Sequence, residues 1–361
     1  MTPARHRERQ IRLRQELDGR ELDAMLFTAG ANLRYLTGFS GTAGLLLAGT
    51  ARAVLVTDFR YAAQAAAEVD GVADVEVVSA DLWDRLRKVL AGRGRLRLGF
   101  DREATSVRDA ERLASLPGVE TRPTSGIVEG LRAVKDADEV AAIEAAIGVA
   151  QAALAEVLPT ILPGQSETEV AARLEHALRI RGSEWHPFPT IVASGPRSAL
   201  PHARASTRTI ARGEWLLIDF GAAVRGYCAD LTRTVVVGPA DTRQREIYGI
   251  VEQAQRAARG SVRAGMSGRE ADALARDPIA AAGYGAAFGH SLGHGIGLEV
   301  HEAPRLARTA EEALPAGAVV TVEPGIYLEG WGGVRLEDDV HLPDAGPRCL
   351  SDGRVDLLEL I

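Results

Sequence analysis

Short apolar runs and longer helical patterns alternate along the first third of the chain. The runs at residues 24–27, 44–47 and 53–56 are rich in apolar side chains, which is typical of short buried strands. Residues 62–68 and 82–90 have the pattern of helices. This alternation predicts an α/β domain with a layered sheet.

A segment rich in turn-forming residues follows this region. Residues 117–126 contain two prolines and two glycines, and such residues interrupt regular structure. Because a chain of 361 residues favours two domains, the segment predicts a boundary. We expect an N-terminal domain over residues 1–126 and a second domain over residues 127–361.

The second region repeats one order of elements. A helical pattern at 136–158 is followed by a capping box that starts at Ser166, where a hydroxyl residue precedes a glutamate by three positions. Later, a helical pattern at 247–262 is followed by a second box that starts at Ser267. Each box precedes a helix, a loop and two apolar strand-like runs. The repetition predicts a duplicated domain with pseudo-two-fold symmetry, and a site where its halves meet.

Both halves also carry the same strand motif, which is a glycine, an apolar run, an acid and a second glycine. The acid is Asp219 in the first copy and Glu323 in the second, and a further acid follows each copy at Asp230 and Glu337. An acid on a buried strand is costly unless something pairs with it. Four carboxylates around one point repel one another unless cations intervene. Since two divalent ions would balance the four charges, the motif favours a dinuclear metal site.

Hairpins would bring the acids of each pair together. Arg225 and the glycine after it form a plausible turn between Asp219 and Asp230, and a glycine-rich segment separates Glu323 from Glu337. Antiparallel strands joined by such turns allow side chains to approach across the ladder.

A histidine cluster supplies the candidate nitrogen ligand. His290, His294 and His301 fall in one glycine-rich segment of a chain that has 8 histidines, and glycine lets the backbone approach an ion closely. The segment is not His-Glu-x-x-His, so the zincin arrangement is excluded. No phosphate-binding loop is present either. His202 precedes the first acidic strand much as the cluster precedes the second.

Composition narrows the class of protein. The chain is 46% hydrophobic and 25% charged, a composition that is ordinary for a globular protein. Its net charge of -7 argues against nucleic acid as a partner. Its 2 cysteines cannot form a disulfide framework, so we expect a cytoplasmic location. The N-terminus lacks the apolar core of a secretory signal. No apolar run approaches the ~20 residues of a membrane span, so we expect no membrane partner.

At these residues the chain strongly resembles the pita-bread metallopeptidases, in the branch of Xaa-Pro dipeptidase (prolidase) and aminopeptidase P. The N-terminal region resembles the creatinase-like domain of that family, notably at Asn32-Leu-Arg-Tyr-Leu-Thr-Gly38-Phe. The resemblance implies an α/β creatinase-like domain followed by an α+β pita-bread catalytic domain. It also implies a homodimer.

The resemblance carries roles onto individual positions. It implies metal ligands at Asp219, Asp230, His294, Glu323 and Glu337, of which Asp230 and Glu337 bridge the ions. It implies catalytic roles for His202, His301 and Glu323, and substrate-binding or second-layer roles for His290, Arg305, Tyr327 and Arg335. In this scheme Arg305 meets the terminal carboxylate of a dipeptide.

The expected reaction is hydrolysis of the peptide bond between an N-terminal residue and proline in short peptides. Two divalent ions, with manganese first and cobalt, zinc or iron as alternatives, lower the pKa of a shared water. Hydroxide then attacks the carbonyl before proline. Glu323 shuttles the proton to the leaving nitrogen, and His301 or His202 stabilises the oxyanion.

Other readings remain open at this point. Methionine aminopeptidases share the ligand set but lack the long N-terminal region and the segment around Arg305. Some pita-bread proteins are non-catalytic binding modules, yet those lose ligand residues that this chain keeps. Creatinase shares both domains but uses no metal. Between dipeptidase and aminopeptidase P, Arg305 favours the dipeptidase.

Overall fold

A computed structural model of the chain describes residues 1–49, 52–91, 94–353 and 355–360. They form two compact units, Met1–Arg132 and Ala133–Ile361. Residues 127–132 belong to the first unit, since Arg132 donates a 2.8 Å hydrogen bond to Asn32. The units therefore divide later than the boundary expected near residue 126. Domains 1–126 and 127–361 stay a prediction as independent folding units.

The first unit contains a mixed sheet. Its described strands are β1 Ala24–Phe27, β2 Gly44–Ala48, β3 Val54–Asp58, β4 Asp74–Val78, β5 Leu96–Asp101 and β6 Val119–Thr124. Its described helices are α1 Pro3–Asp18, α2 Gly30–Thr37, α3 Ala62–Glu68, α4 Leu82–Leu90, α5 Val107–Ala114 and α6 Ile127–Ala133, the last of which ends one residue past the unit. The strand order is β4-β3-β2-β1-β5-β6. The α/β layering predicted for this region is confirmed.

One element of this unit differs from the sequence-based expectation, and the N-terminus adds a helix about which no expectation was made. The segment 117–126, expected to be a boundary, contains strand β6, which pairs parallel with β5 at the sheet edge. Pro123 is tolerated there because an edge strand leaves one row of backbone groups unpaired. The charged N-terminus, with no apolar core in its first residues, forms helix α1, which buries Leu13 and Leu17.

The second unit holds the remaining elements. Its described helices are α7 Ala137–Val157, α8 Glu167–Ile180, α9 Thr242–Ser261 and α10 Gly268–Ala281. Its described strands are β7 Ile191–Ser194, β8 Glu214–Val224, β9 Tyr227–Val237, β10 Gly293–Gly295, β11 Glu302–Leu306, β12 Ala318–Val322, β13 Gly325–Leu328, β14 Gly332–Arg335, β15 Asp338–Leu342, β16 Arg348–Cys349 and β17 Glu359–Leu360.

The duplication predicted from the sequence is confirmed by the order of these elements. A long helix, a capped helix and an antiparallel strand pair occur first as α7, α8 and β8–β9, and again as α9, α10 and β12–β15. Both capping boxes form, with Ser166 capping α8 and Ser267 capping α10. Each box satisfies backbone N–H groups that a helix start leaves unpaired.

The strands of the two halves lie in separate sheets. The first has the order β17-β9-β8-β7, and the second has the order β11-β10-β12-β15-β16, while β13 and β14 pair with each other. Apolar residues of α9, α10 and the second sheet form one buried cluster, including Ile247, Val251, Ala271, Val320 and Val340. The burial of apolar surface between helices and sheets holds the strands that carry the acids.

Helix α7 contradicts the expectation that the chain contains no apolar stretch of membrane-spanning length. The stretch Ala137–Thr160 is long and apolar enough to cross a membrane by length and composition, and half of its most apolar part is buried. Its buried residues include Ile143, Ile147 and Leu154. The core helix of a globular domain passes the same test, so the feature is weak evidence for a membrane span.

Candidate metal centre

Asp219 and Asp230 lie on the long hairpin of β8 and β9. The hairpin closes through Arg225 and Gly226, which have φ values of 52° and 81°. These positive values match the two-residue turn that fits the twist of a hairpin. Asp230 pairs with Gly221, and Asp219 pairs with Thr232. The two acids therefore lie diagonally on one face of the sheet, two residues apart in register.

Glu323 and Glu337 face each other across a break in the second strand pair. Val322 pairs with Asp338 before the break, and Gly325 pairs with Arg335 after it. The same register on both sides places Glu323 opposite Glu337. The hairpin relation expected for each acid pair is confirmed, although the first pair is diagonal and the second is directly opposed.

His294 comes from strand β10 and points its Nε2 at the acids. Its Nδ1 donates to the carbonyl of Gly295 at 3.0 Å, which leaves Nε2 as the lone-pair nitrogen, the arrangement of a metal-binding imidazole. Nε2 lies 3.5 Å from Oε1 of Glu323 and 3.9 Å from Oδ2 of Asp230. Thr321 forms hydrogen bonds with both His294 and Glu323. Its hydroxyl accepts from the backbone N–H of His294 at 3.1 Å and donates to the Glu323 carboxylate at 3.4 Å.

A buried ion pair on helix α10 fixes the loop that leads to His294. Arg276 binds Asp272 at 2.5 Å and donates to the carbonyls of Phe288 and His290 at 2.8 and 2.6 Å. Asp272 in turn accepts the Leu292 N–H at 3.0 Å. Sequence reasoning did not find this pair, because its i,i+4 spacing is common on any exposed helix.

These side chains converge on one cavity. Asp230, His294 and Glu337 each offer a ligand atom, and the three atoms lie within 4.8 Å of one another. The cavity has a volume of about 470 Å³. Every predicted site residue except Tyr327 lines it, namely Asp219, Asp230, His294, Glu323, Glu337, His202, His290, His301, Arg305 and Arg335.

The acids destabilise one another in the absence of a cation. Burial and the charge of Asp219 raise the pKa of Glu337 to about 8. Burial and the charge of Glu337 raise the pKa of Asp230 and of Glu323 well above their ordinary values. Burial lowers the pKa of His294 to about 4, so this imidazole is neutral at neutral pH and able to bind a metal ion.

The hydrogen bonding of the acids also fits a divalent cation. Oδ1 of Asp219 and Oδ1 of Asp230 are buried and have no hydrogen-bond partner among the described residues. Buried polar atoms are normally paired, and carboxylate oxygens around one imidazole form a hard to borderline donor set. The residues present therefore fit the metal ions that the resemblance implies.

A network of side-chain hydrogen bonds connects the acids to the residues around them. Arg335 donates to Asp219 at 2.5 Å and to the Tyr327 hydroxyl at 2.8 Å. The Tyr327 hydroxyl donates to Nε2 of His290 at 2.8 Å, because Nδ1 of His290 donates to the Ser291 carbonyl. Thr232, which the sequence analysis did not single out, donates to Glu337 at 2.6 Å. The sequence could have predicted a role for Thr232, because it follows Asp230 by two residues and therefore lies on the same face of the strand.

The remaining predicted residues stand at the open side of the cavity. His202, His301 and Arg305 are exposed. The ring of His301 lies 4.4 Å from that of His294, centroid to centroid. Arg305 on β11 pairs directly with His294 on β10. The structure thus brings together the residues that the sequence placed far apart.

Comparison with known proteins agrees with this architecture. A model described as Metallopeptidase family M24 matches residues 141–344, and one described as Creatinase/Prolidase N-terminal domain matches residues 9–134. A protein named Xaa-Pro dipeptidase from Pyrococcus horikoshii is 36% identical over 95% of this chain and 96% of its own length.

Two solved structures resemble the chain over nearly its whole length. One, named Xaa-Pro dipeptidase from Bacillus anthracis, has a TM-score of 0.95 at 41% identity and covers 98% of this chain and 100% of that one. Another, named X-Pro aminopeptidase from Thermotoga maritima, has a TM-score of 0.89 at 38% identity and covers 96% of this chain and 100% of that one. The chain is therefore a hydrolase of metallopeptidase family M24, with a creatinase/prolidase N-terminal domain and a catalytic domain of the pita-bread fold.

Proposed function

We propose that this protein hydrolyses the peptide bond between an N-terminal residue and proline, using two divalent cations held by Asp219, Asp230, His294, Glu323 and Glu337. One observation carries the proposal. Four carboxylates and a neutral imidazole converge on a cavity of about 470 Å³, where the pKa of three of the acids is raised.

Charge supports two ions rather than one. The four carboxylates carry a formal charge of about −4 when ionised, and one of them, Asp219, is already paired with Arg335 at 2.5 Å. A single divalent ion would leave buried negative charge uncompensated, which is costly in a low-dielectric site. When bound, such ions would polarise the substrate carbonyl and lower the pKa of a water molecule.

Glu323 is suited to hold and move a proton. Burial and the charge of Glu337 raise its pKa, and a raised pKa favours proton uptake by a carboxylate that acts as a general acid–base group. It lies beside His294, and its Oε2 is 3.9 Å from Nδ1 of His290. We assign to Glu323 the transfer of a proton from the attacking water to the proline nitrogen.

We assign to His202 and His301 the stabilisation of the charge that develops on the substrate carbonyl. Both line the cavity from its open side, and partial loss of solvent around the His301 ring lowers its pKa. A neutral imidazole donates one hydrogen bond, and a donor aimed at a developing oxyanion lowers the barrier.

The cavity wall suits a proline ring. Phe188, Ile191 and Pro201 line it with apolar surface, while the bond between His290 and Tyr327 keeps both rings in place. Proline has a fixed φ and no backbone N–H, so a peptidase that recognises it must accept the ring by shape.

Arg305 supports the dipeptidase over the aminopeptidase. Its guanidinium has no hydrogen-bond or ion-pair partner among the described residues, and it lines the cavity one strand away from His294. A guanidinium binds a carboxylate in a two-pronged geometry. A free proline carboxylate, present in a dipeptide beside the cleaved bond, is the group we assign to it.

The identity of the ions, the assembly and the location extend this proposal. Oxygen-rich ligation with one imidazole suits manganese, with cobalt, zinc or iron as alternatives. A homodimer in the cytoplasm is the arrangement we predict.

The decisive test is hydrolysis by manganese-loaded protein of Ala-Pro, Ala-Pro-Ala, a longer Xaa-Pro peptide and a Met-Ala peptide. We expect cleavage of Ala-Pro with higher kcat/KM than of either longer proline peptide. Preference for the Met-Ala peptide would replace the proposal with a methionine aminopeptidase. Failure to cleave any of them with bound metal would reject the peptidase assignment.

A further inference from the structure

Arg204, which has no assigned role in the proposed reaction, lies in the loop between β7 and β8. This loop contains Arg197, Arg204 and Arg208. Arg197 is paired with Glu167 at 3.0 Å, and Arg208 is paired with Glu214. The guanidinium of Arg204 is exposed and has no hydrogen-bond or ion-pair partner among the residues that the structure describes. It nevertheless lines the same cavity as Arg305 and the candidate metal ligands.

The backbone around Arg204 is braced by a buried carboxylate. The side chain of Glu167 is 0% exposed and accepts the N–H groups of Ser194 and Ser206 at 2.7 and 3.0 Å. It also binds Arg197, which donates to the carbonyl of Arg204 at 2.6 Å. The loop is therefore held on both sides of residue 204. A loop whose backbone is already fixed loses less conformational entropy when its arginine binds an anion than a flexible loop would lose.

Arg204 and Arg305 both line the cavity that a substrate would occupy. If the cations balance the four carboxylates, the cavity keeps the charges of Arg204 and Arg305 without an internal partner. Guanidinium groups recognise carboxylates through charge-assisted hydrogen bonds.

We propose that Arg204 is a second carboxylate-binding residue of the substrate site and sets specificity together with Arg305. The inference rests on the proposed function, because it takes an Xaa-Pro peptide as the substrate. The carboxylate has two possible sources, which are the terminal carboxylate of a dipeptide and an acidic side chain in the residue before proline.

The test compares Arg204→Ala and Arg204→Lys with wild type and with Arg308→Ala. Arg308 is an exposed arginine that does not line the cavity, so its replacement matches the loss of charge. The substrates are Ala-Pro and its C-terminal amide, and Glu-Pro and Gln-Pro. Binding of L-proline and of prolinamide, measured by calorimetry, supplies a readout apart from turnover.

If Arg204 binds the terminal carboxylate, Arg204→Ala raises KM for Ala-Pro about tenfold, while kcat and the KM for the amide are unchanged. Binding of L-proline weakens to the same degree and binding of prolinamide does not. If Arg204 binds an acidic side chain, the increase in KM appears for Glu-Pro and not for Gln-Pro. In either case Arg204→Lys restores part of the affinity, and Arg308→Ala behaves as wild type.

Equal effects of Arg204→Ala on all four substrates, or no effect on any, would overturn the inference. That outcome is separate from failure of the proposed function, in which the wild-type protein itself cleaves none of the Xaa-Pro substrates.

Discussion

Replacing Glu337 by glutamine should make the folded protein more stable than wild type in the absence of metal. In the presence of metal, the variant should gain much less stability than wild type. The structural reason is that the pKa of Glu337 is raised from 4.5 to about 8 by burial and by Asp219. The side chain is buried among like charges, so its ionised form is disfavoured in the folded state. Glutamine has the same shape and no charge, and its amide oxygen can still accept the hydrogen bond from Thr232.

The magnitude follows from the shift in pKa. A carboxyl whose pKa is higher in the folded state than in the unfolded state costs stability as the pH rises above the unfolded value, and the full cost is reached above the folded value. At 1.36 kcal/mol per unit, the cost is about 3 kcal/mol at pH 7 and about 5 kcal/mol above pH 8. For a unit of this size, that corresponds to roughly 10 °C in Tm at pH 7.

Thermal unfolding with a chelator at pH 4, 7 and 8 measures the difference, and repetition with manganese at pH 7 and 8 measures its reversal. Wild type and Glu337→Gln should unfold together at pH 4 and separate with rising pH, with the variant more stable. Manganese should raise the Tm of wild type far more than that of the variant. Glu329→Gln is the control, because Glu329 is exposed on the same hairpin. A variant no more stable than wild type at pH 8 in chelator would refute the reasoning.

Three further predictions concern single side chains. Asp230→Asn should keep the fold but lose bound metal and nearly all Xaa-Pro hydrolysis; wild-type turnover in this variant would contradict the dinuclear scheme. Arg305→Ala should impair cleavage of Ala-Pro far more than of longer Xaa-Pro peptides, because only the dipeptide places its carboxylate there; equal losses would reject that role. Lys135→Met should lower the free energy of unfolding, measured by calorimetry, by about 3–5 kcal/mol, because it removes the ammonium 3.1 Å from buried Glu302. The Lys135→Met/Glu302→Gln double variant should recover much of this loss. If it recovers none, the broken ion pair is not the cause.

The local elements of the site could be predicted because their signals lie close together in sequence. The capping boxes at Ser166 and Ser267 formed as predicted, since each depends on residues three positions apart. The turn at Arg225 and Gly226 likewise followed from two adjacent residues. The helices 62–68 and 82–90 were placed at their observed bounds because their patterns are uninterrupted.

Elements whose formation depends on distant partners were missed. Strand β6 contains Pro123 and has few apolar residues, and it exists because β5 offers it a parallel partner. The Asp272–Arg276 pair is buried only because the loop of residues 288–292, which contains His290, packs against helix α10. Arg204 could not be told from Arg197 and Arg208 by sequence, since all three are arginines of one loop and differ in whether a glutamate lies nearby.

The sequence by itself determined the duplicated order of elements, the residue types of the five candidate ligands and the turn of the first hairpin, because propensities, caps and repeated motifs act over short separations. Only the tertiary structure decided which oxygen and nitrogen atoms meet, how far the pKa values of the acids rise, and which arginines remain unpaired at the cavity. Those properties depend on burial and on the distances between charges from distant parts of the chain, and such distances arise only when the sheets and helices pack.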